Sequence, residues 1–365
     1  MPKYRVAVVG GAGTWGRFYM RAYAEHPDCE IVALVDQAKD RRQAFADRYG
    51  AKAVFDTVEE LFAREVPDIV SAIVPVGQNR PIALACVEAG VRVVSCEKPL
   101  AVELSHADEI VRVCRERGTL FACGQSMWIT PYMADVFDWI KAGGIGQPTH
   151  ATIPVSLPVE VSGGGCVQLS ALRIFTGMDV EWVEGQTLAP VPRYVAYPDG
   201  PEVEKDRPAY GRLGLSGGIT CDIPPPAEKE NWPTCFLSIE GEEGQVFLSS
   251  PQPVLLQGKG ASRSPVFPEF LNTPPPEKEM FNGRIRSLIE SFESGEEPPS
   301  SGADYAHALE VAMALVRSAD DGGKRIELPF EDRSMRLYPA LYREKGGDVA
   351  GWQSIGYEGP PDLPE

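Results

Sequence analysis

The sequence predicts an α/β protein in which a doubly wound parallel sheet is followed by a β-rich second half. Up to about residue 125, short apolar runs rich in β-branched residues alternate with helical segments, a pattern typical of parallel strands joined by crossover helices. After Pro131 one further helix precedes many short strand-like runs, and the turn at 241–244 predicts an antiparallel hairpin. We therefore expect a first domain at 1–125, a second α/β domain at 126–331 and a surface-wrapping tail at 332–365.

The first strand–helix–strand unit carries a glycine pattern that suits phosphate binding. Tyr4–Val9 predicts a buried strand, and a G-x-G-x-x-G pattern follows it directly. Gly11 permits a tight turn, Gly13 lets the backbone approach a pyrophosphate, and Gly16 lets helix and strand pack closely. The start of the next helix offers free N–H groups and partial positive charge to phosphates, so the unit predicts a Rossmann dinucleotide-binding domain. The loop residues expected to contact the cofactor are Gly11, Gly13, Thr14, Trp15 and Gly16.

The second strand of this unit, at 30–35, ends on an acidic residue, Asp36. Asp36 lies about 20 residues past the glycine motif, where a carboxylate can accept both ribose hydroxyls of an adenosine. A 2′-phosphate would sit against its negative charge, so the sequence favours NAD as the cofactor. Arg41 and Arg42 lie just beyond Asp36 and keep NADP open as an alternative.

Further strands are expected at 68–74, 91–96 and 119–123, and each ends in residues with functional potential. In doubly wound sheets, ligands collect outside the carboxyl ends of the parallel strands. We therefore expect one crevice to gather the glycine loop and the residues at these strand ends. The strand-end residues expected to meet the cofactor are Asp36, Val74, Pro75, Glu97, Lys98 and Gln125.

The composition argues against several classes of partner. A net charge of −17, from 35 basic and 52 acidic residues, disfavours nucleic acid and anionic membranes. The 8 cysteines include no C-x-x-C pair and several lie in apolar runs, as expected for reduced core residues of a cytoplasmic protein. No apolar run approaches the roughly 18 residues that a membrane-spanning helix needs. A strand at the very start leaves no room for a signal peptide, and no cluster has metal-ligand spacing.

The glycine motif, Asp36 and especially residues 97–101, which read E-K-P-L-A, resemble the Gfo/Idh/MocA family of oxidoreductases. Residues 144–148 resemble its domain junction and residues 239–244 its late hairpin. The resemblance implies a Rossmann domain and a second α/β domain with an open, mainly antiparallel sheet. It also implies NAD(P)-linked oxidation or reduction of a sugar, polyol or related carbinol. Homodimers or homotetramers assembled through the C-terminal sheet are implied as well.

The resemblance assigns roles to residues of the E-K-P stretch. Lys98 matches the active-site lysine, whose ammonium would hydrogen-bond the reacting hydroxyl and stabilise developing alkoxide charge. Glu97 would position Lys98 or accept a hydroxyl of the nicotinamide ribose. Val74 and Pro75 would lie along the cofactor, and Arg80, which stands where the family commonly has a histidine after that turn, is expected to contact the cofactor as well.

The chain departs from the family at the usual catalytic histidine. The family carries a D-x-G-x-H-x-x-D run before the glycine that matches Gly177. The corresponding positions here hold Gly163, Gly165, Val167 and Ser170. The expected lysine, histidine and aspartate set is therefore incomplete.

Other residues are candidates to replace that histidine or to bind the substrate. Tyr132, Gln168, Arg173 or a water could act beside Lys98 as the acid or base. Trp128 and Tyr132 suit stacking on a sugar ring. His150 could face the site, although the far face of its sheet is favoured. Two alternatives to hydride transfer remain: a cofactor-binding sensor or assembly subunit, and a lyase or glycosidase that recycles its NAD.

Overall fold

The computed structural model describes residues 3–124, 131–158, 160–189, 204–225, 235–249, 251–273, 281–355 and 359–361. The strands of the first domain are β1 (Tyr4–Val9), β2 (Cys29–Val35), β3 (Ala53–Phe55), β4 (Ile69–Ala72), β5 (Val93–Cys96) and β6 (Leu120–Cys123). They form one 6-stranded sheet in the order β3-β2-β1-β4-β5-β6. All of the paired strands are parallel.

Helices cover both faces of this sheet, which explains why its central strands read as continuous apolar runs. The helices of this part are α1 (Gly16–Glu25), α2 (Lys39–Tyr49), α3 (Val58–Arg64), α4 (Asn79–Ala89), α5 (Leu104–Arg117) and α6 (Met133–Lys141). The strand order reverses between β1 and β4, and a crevice opens at the carboxyl ends of these two strands. This arrangement confirms the predicted doubly wound sheet.

In the described part of the chain, a second sheet contains 9 strands. Its strands are β7 (Pro148–Thr152), β8 (Val180–Thr187), β9 (Ala209–Leu215), β10 (Thr220–Ile223), β11 (Cys235–Gly241), β12 (Gly244–Ser249), β13 (Val254–Gln257), β14 (Ser264–Pro265) and β15 (Ile326–Glu327). Their order is β14-β13-β12-β11-β7-β10-β9-β8-β15. Every described pair is antiparallel except β7 with β10, so the predicted, mainly antiparallel second sheet is confirmed.

The helices after α6 are α7 (Cys166–Thr176), α8 (Asn282–Ser294), α9 (Gly302–Asp320), α10 (Leu341–Lys345) and α11 (Gly347–Ala350). Two of them, α7 and α9, pack against one face of the second sheet, and no described helix packs against the other, which we call the open face. By contrast, α8 packs against α1 of the first domain and contributes Ile285 and Leu288 to its core. The first domain is therefore completed by a helix that lies about 160 residues beyond its own last strand.

The C-terminal tail contacts the rest of the protein through both backbone and side chains. Leu337 is fully buried, and its N–H donates to the Val102 carbonyl at 2.9 Å. The tail then turns back toward the crevice, where α10 contacts the 3-10 turn Val76–Gln78. The tail at 332–365, predicted to wrap the surface, therefore also reaches the crevice. Within the described residues, no helix combines the length and apolar character that crossing a membrane requires.

Candidate functional site

The glycine loop lies between β1 and α1 at the centre of the crevice. A Cβ added to Gly16 would lie 2.0 Å from the Gly10 carbonyl oxygen, so a side chain at position 16 would push the helix from the loop. A Cβ on Gly13 would lie 3.3 Å from that oxygen, closer than ordinary van der Waals contact, so a side chain at position 13 would crowd the loop. Among the described residues, the Thr14 hydroxyl oxygen is buried without a hydrogen-bond partner. An orphaned buried hydroxyl on a glycine loop is what a phosphate-bearing cofactor would satisfy.

Asp36 is tied to this loop. Its carboxylate accepts hydrogen bonds from Ala12 N–H at 3.0 Å and from Ala38 N–H at 2.9 Å. Burial raises the pKa of Asp36, although these two N–H groups and Arg41 act against the rise. The predicted ribose-binding carboxylate therefore lies directly beside the glycine loop.

The ends of β4 and β5 reach the same crevice. A Cβ on Gly10 would lie 2.1 Å from the Ile73 carbonyl oxygen and 3.3 Å from Val74, so the loop and the 74–75 turn touch. Asn79 joins that turn to the end of β5, because its amide donates to the Glu97 carbonyl at 3.1 Å and the Pro99 carbonyl at 2.9 Å. The structure thus brings together the glycine loop, Asp36, Val74, Pro75, Glu97 and Lys98.

Lys98 is the cation at the end of β5, and its peptide bond to Pro99 is cis. The lysine is half-buried, and no hydrogen bond from its ammonium is made to the described residues. Burial lowers the pKa of Lys98 to about 8, and the Arg343 guanidinium adds to the lowering, while Glu97 and Glu160 oppose it. An amine with this pKa can exchange a proton near neutral pH, as an acid–base group requires.

A buried hydrogen-bond network, which the sequence did not predict, holds the Glu97 side chain. The fully buried Arg284 of α8 donates to the Glu97 carboxylate and to the Tyr19 hydroxyl. Tyr19 itself donates to Glu97 at 2.7 Å. Burial works the other way, but Arg284 and Lys98 together hold the pKa of Glu97 below its usual value. Glu97 is therefore ionised, and its backbone fixes the position of Lys98.

A second ion pair that the sequence did not reveal lies near Lys98. Glu160 accepts from the Arg343 guanidinium of α10 and from Ala340 N–H at 3.0 Å. A Cβ on Gly163 would lie 3.0 Å from a Glu160 carboxylate oxygen and 3.2 Å from Arg343 Nε. Gly163 stands where the family run begins with aspartate, so the missing side chain leaves room for this pair.

The π-helical turn Val161–Gly165, just before α7, is anchored by the buried Asp206. Its carboxylate accepts from Val161 N–H at 2.8 Å and from Ser162 N–H at 3.0 Å. Burial raises the pKa of Asp206 to about 7, against the hydrogen bonds from Ser162. Burial and the nearby Asp206 also raise the pKa of the Cys166 thiol, which Lys98 opposes. Asp206 thus positions the turn beside the lysine.

No local signal would have revealed these partners. Glu160, Asp206, Arg284 and Arg343 come from four separate stretches of chain, and none of them forms a motif with its sequence neighbours. Their proximity arises only when α8 and the tail fold back onto the crevice.

Two predicted residues, Arg80 and Arg173, are held in ion pairs on helices. Arg80 of α4 pairs with Glu109 of α5 at 2.5 Å. Arg173 of α7 pairs with Asp179 at 2.6 Å and with Asp304 of α9. Neither guanidinium is hydrogen-bonded to the residues around Lys98, so their predicted cofactor and substrate roles stay predictions.

His150 lies on the open face of the second sheet. Its neighbour Ala151 is buried under the helices, and side chains alternate between faces along a strand. His150 Nε2 lies 3.4 Å from an Asp222 carboxylate oxygen, and Nδ1 lies 3.4 Å from the Thr220 hydroxyl. Among the described residues, these polar partners share the open face and none belongs to the crevice.

The remaining predicted residues have local partners or fall outside the described chain. Tyr132 precedes α6 with a left-handed backbone, φ 68°, and its hydroxyl donates to the Thr273 carbonyl at 3.2 Å. The Gln168 amide is buried and donates to the Phe236 carbonyl at 3.4 Å. The predicted residues outside the described part are Gln125 and Trp128. In the part of the chain that is described, no three His, Cys, Asp or Glu side chains cluster as metal ligands.

Comparison with known proteins agrees with this arrangement. Residues 4–125 match the family model described as the oxidoreductase family GFO_IDH_MocA, with an NAD-binding Rossmann fold. D-apiose dehydrogenase of Paraburkholderia graminis is 22% identical, over 89% of this chain and 90% of that protein. Inositol 2-dehydrogenase of Rhizobium meliloti is 24% identical, over 84% of this chain and 94% of that protein.

A solved structure shares the same architecture. It is an oxidoreductase from Agrobacterium radiobacter in complex with NAD⁺, L-tartaric acid and magnesium. The TM-score is 0.69 at 19% identity, over 89% of this chain and 98% of that chain. At this identity the match establishes the fold of both domains.

Proposed function

The chain belongs, through residues 4–125, to the Gfo/Idh/MocA oxidoreductases, and on that premise we propose that it is an NAD(P)-dependent sugar or polyol oxidoreductase. The substrate would present a hydroxyl or ketone on a sugar, polyol or glycoside-like compound. The observation that carries the proposal is the half-buried Lys98 at the end of β5, with a lowered pKa and no hydrogen bond to the described residues. The two dehydrogenases reported above act on carbohydrate-like compounds by name, which supports this substrate class.

The cofactor-binding residues are those of the first domain. Bound NAD would supply hydride acceptance and donation at its nicotinamide ring. The backbone at Gly13, the Thr14 hydroxyl and the start of α1 would bind the pyrophosphate. Asp36 would accept the adenosine ribose hydroxyls, and its charge favours NAD over NADP.

Lys98 would hold the reacting oxygen of the substrate. Its protonated Nζ donates a hydrogen bond to that oxygen and stabilises the negative charge that develops there. The Nζ proton is shared with the substrate oxygen during reduction and is recovered from it during oxidation. A pKa of about 8 keeps both forms of the amine accessible near neutral pH.

Because the usual histidine is absent, the charged groups around Lys98 become more important for its chemistry. Glu160 and Arg343 form the charged pair near the lysine, and Arg343 helps to lower the lysine pKa. The pair therefore tunes the lysine that would otherwise work with a histidine. Tyr132 remains a proposed acid–base partner, and Gln168 remains a proposed partner of Lys98 that would act through hydrogen bonds.

The test is a panel of sugars, polyols and their keto forms with NAD⁺ or NADH, read by NADH absorbance at several pH values. Stoichiometric formation or consumption of NADH with one compound class supports the proposal. Tight NAD binding without turnover on any compound would instead indicate a sensor or assembly subunit.

One observation favours the cofactor-recycling alternative as a second candidate. The C-terminal tail contacts the crevice beside Arg41 and beside Glu160, so a cofactor bound there would be retained between turnovers. A lyase or glycosidase that reoxidises its own NADH needs such retention. Product formation without net NADH would identify that reaction.

The organisation of the second half remains a proposal as well. Residues 126–331 would carry substrate binding and assembly, and the tail at 332–365 would complete the site. The open face of the 9-stranded sheet, which carries His150 and Asp222, would join copies into a homodimer or homotetramer. Light scattering of the purified wild type and of Asp222→Arg measures their molar masses and tests this assembly.

A further inference from the structure

We propose that Asp348 of the C-terminal tail restricts the enzyme to NAD by occupying Arg41, the guanidinium best placed to bind a 2′-phosphate. The inference rests on the proposed cofactor function and names the residue pair that sets its selectivity. The pair lies at the adenosine end of the crevice, beside Asp36.

Arg41 lies beside the carboxylate that would bind the ribose. Its Nε donates to the Ala12 carbonyl at 3.4 Å, while the Ala12 N–H donates to Asp36 at 3.0 Å. The same loop residue therefore connects both side chains. A guanidinium next to the ribose-binding acid is where NADP-binding Rossmann domains place the group that accommodates the 2′-phosphate.

The tail occupies the terminal N–H donors of that guanidinium. Arg41 Nη1 donates to Asp348 Oδ1 at 3.2 Å, and Nη2 donates to Oδ2 at 2.6 Å. Trp352 donates from its indole to the same Oδ1 at 3.2 Å, and its ring centroid lies 5.7 Å from the guanidinium carbon. A two-point carboxylate contact uses the geometry that a phosphate would need, so Asp348 and a 2′-phosphate compete for one partner.

Neighbouring cations do not offer the same contact. Arg42 is buried and donates to the Asp36 carbonyl at 2.7 Å and the Phe55 carbonyl at 2.6 Å, besides pairing with Asp56. Lys39 is largely exposed and lies 3.4 Å from the same Asp56. Arg41 is therefore the cation whose release would create a two-point phosphate site beside Asp36.

Two carboxylates, Asp36 and Asp348, thus stand where a 2′-phosphate would arrive. That phosphate carries roughly −1.5 to −2 charges near neutral pH, so both carboxylates repel it. Replacing Asp348 by asparagine removes one repulsion and frees Arg41 to contact the phosphate. The carboxylate of Asp36 still accepts the ribose hydroxyls of NAD, so NAD binding should change little.

The experiment is calorimetric titration of the full-length protein with NAD⁺ and with NADP⁺. We expect Asp348→Asn to tighten NADP⁺ binding by about tenfold or more, as hydrogen bonds to a charged group predict, and to change NAD⁺ binding by less than about threefold. The double variant Arg41→Met with Asp348→Asn should lose the gain. Asp332→Asn is the matched control, because Asp332 pairs with Arg317 at 3.2 Å and has no described contact with Arg41.

Unchanged NADP⁺ affinity in Asp348→Asn would overturn the inference, as would a gain that persists in the double variant. Because binding is measured without turnover, the two proposals fail separately. NAD⁺ binding with no activity on any substrate would count against the oxidoreductase, while a selectivity change in Asp348→Asn would still support the inference. A wild type that binds neither nucleotide would refute both.

Discussion

The C-terminal tail contributes residues of opposite charge to the two ends of the crevice, a cation near Lys98 and an anion near Asp36. At the Lys98 end, α10 brings Arg343 to Glu160, and both side chains are mostly buried, with exposed fractions of 16% and 8%. At the Asp36 end, α11 brings Asp348 to Arg41, and the exposed fractions are 17% for Arg41 and 57% for Asp348. Both members of the first pair are shielded from water, whereas the carboxylate of the second pair is open to it.

This difference in burial predicts different consequences. Breaking one partner of a buried charge pair leaves an uncompensated charge and costs several kcal/mol, whereas an exposed pair contributes about 0–1 kcal/mol. The Lys98 end should therefore determine catalysis and stability. The Asp36 end should determine which nucleotide binds and leave stability nearly unchanged.

The largest expected effect concerns the support beneath the Lys98 end. Arg284→Met leaves the Glu97 carboxylate, which is only 15% exposed, without its hydrogen-bonded cation, so unfolding free energy should fall by about 3–5 kcal/mol in urea denaturation. Arg286→Met is the matched control on the same helix, because this arginine is exposed, and the loss of an exposed contact should change stability by about 1 kcal/mol or less. Equal stability of both variants would show that Glu97 does not depend on Arg284.

The next effect is on catalysis at the same end. Lys98→Met keeps the length of the side chain and removes its charge, so kcat should fall by about 10²–10³, the cost of losing one preorganised donor to an oxyanion. The NAD⁺ dissociation constant should change little. Lys52→Met, at an exposed lysine that lies 3.5 Å from Glu30, should leave both quantities unchanged. Near-native turnover in Lys98→Met would refute the catalytic assignment.

At the other end, Asp36→Ala should alter cofactor binding. Losing hydrogen bonds to a charged group costs about 1.5–3 kcal/mol, which corresponds to roughly 10–100-fold weaker NAD⁺ binding. The preference for NAD⁺ over NADP⁺ should relax, because one repelling carboxylate is removed. Wild-type protein that binds NADP⁺ more tightly would contradict this assignment and transfer the phosphate contact to Arg41.

The contrast between the two ends also explains which site residues could be predicted from the sequence. Asp36 and Lys98 were predicted because each follows its strand within a contiguous motif, so local chemistry carries the information. Glu160 and Arg343 were missed because 183 positions separate them, and only tertiary folding joins them. Arg41 and Arg42 looked equivalent, but one residue rotates a helix by about 100°, which turns Arg42 inward and Arg41 toward the tail.

A pH profile tests whether the buried pair tunes Lys98. Reduction needs the ammonium form, so its rate should fall as pH rises through about 8, the pKa of Lys98, and oxidation should show the opposite trend. Arg343→Met removes a cation and leaves the negative Glu160 behind, and both changes favour the ammonium. The midpoint should therefore move to higher pH by about one unit.

The control for this profile is Arg336→Met, because Arg336 is exposed, pairs with Glu103 at 2.9 Å and is not among the charged groups that shift the pKa of Lys98. An unchanged midpoint in Arg343→Met would show that the tail does not influence the pKa of Lys98. A midpoint that moves to lower pH would mean that Glu160 had found another cation.

The smallest expected effect belongs to His150, which lies at neither end. It is a half-exposed residue on the open sheet face, where Asp222 lies 3.4 Å away and also pairs with Arg212 at 2.8 Å. His150→Ala should therefore change kcat by less than about threefold and unfolding free energy by no more than about 1 kcal/mol. Kinetics and urea denaturation of the variant, compared with Lys98→Met, measure both. Complete loss of turnover in a folded, stable His150→Ala would contradict this expectation. It would mean that the open face reaches an active site after all, for example that of a second copy packed against the sheet, and that the histidine missing before Gly177 is supplied from there.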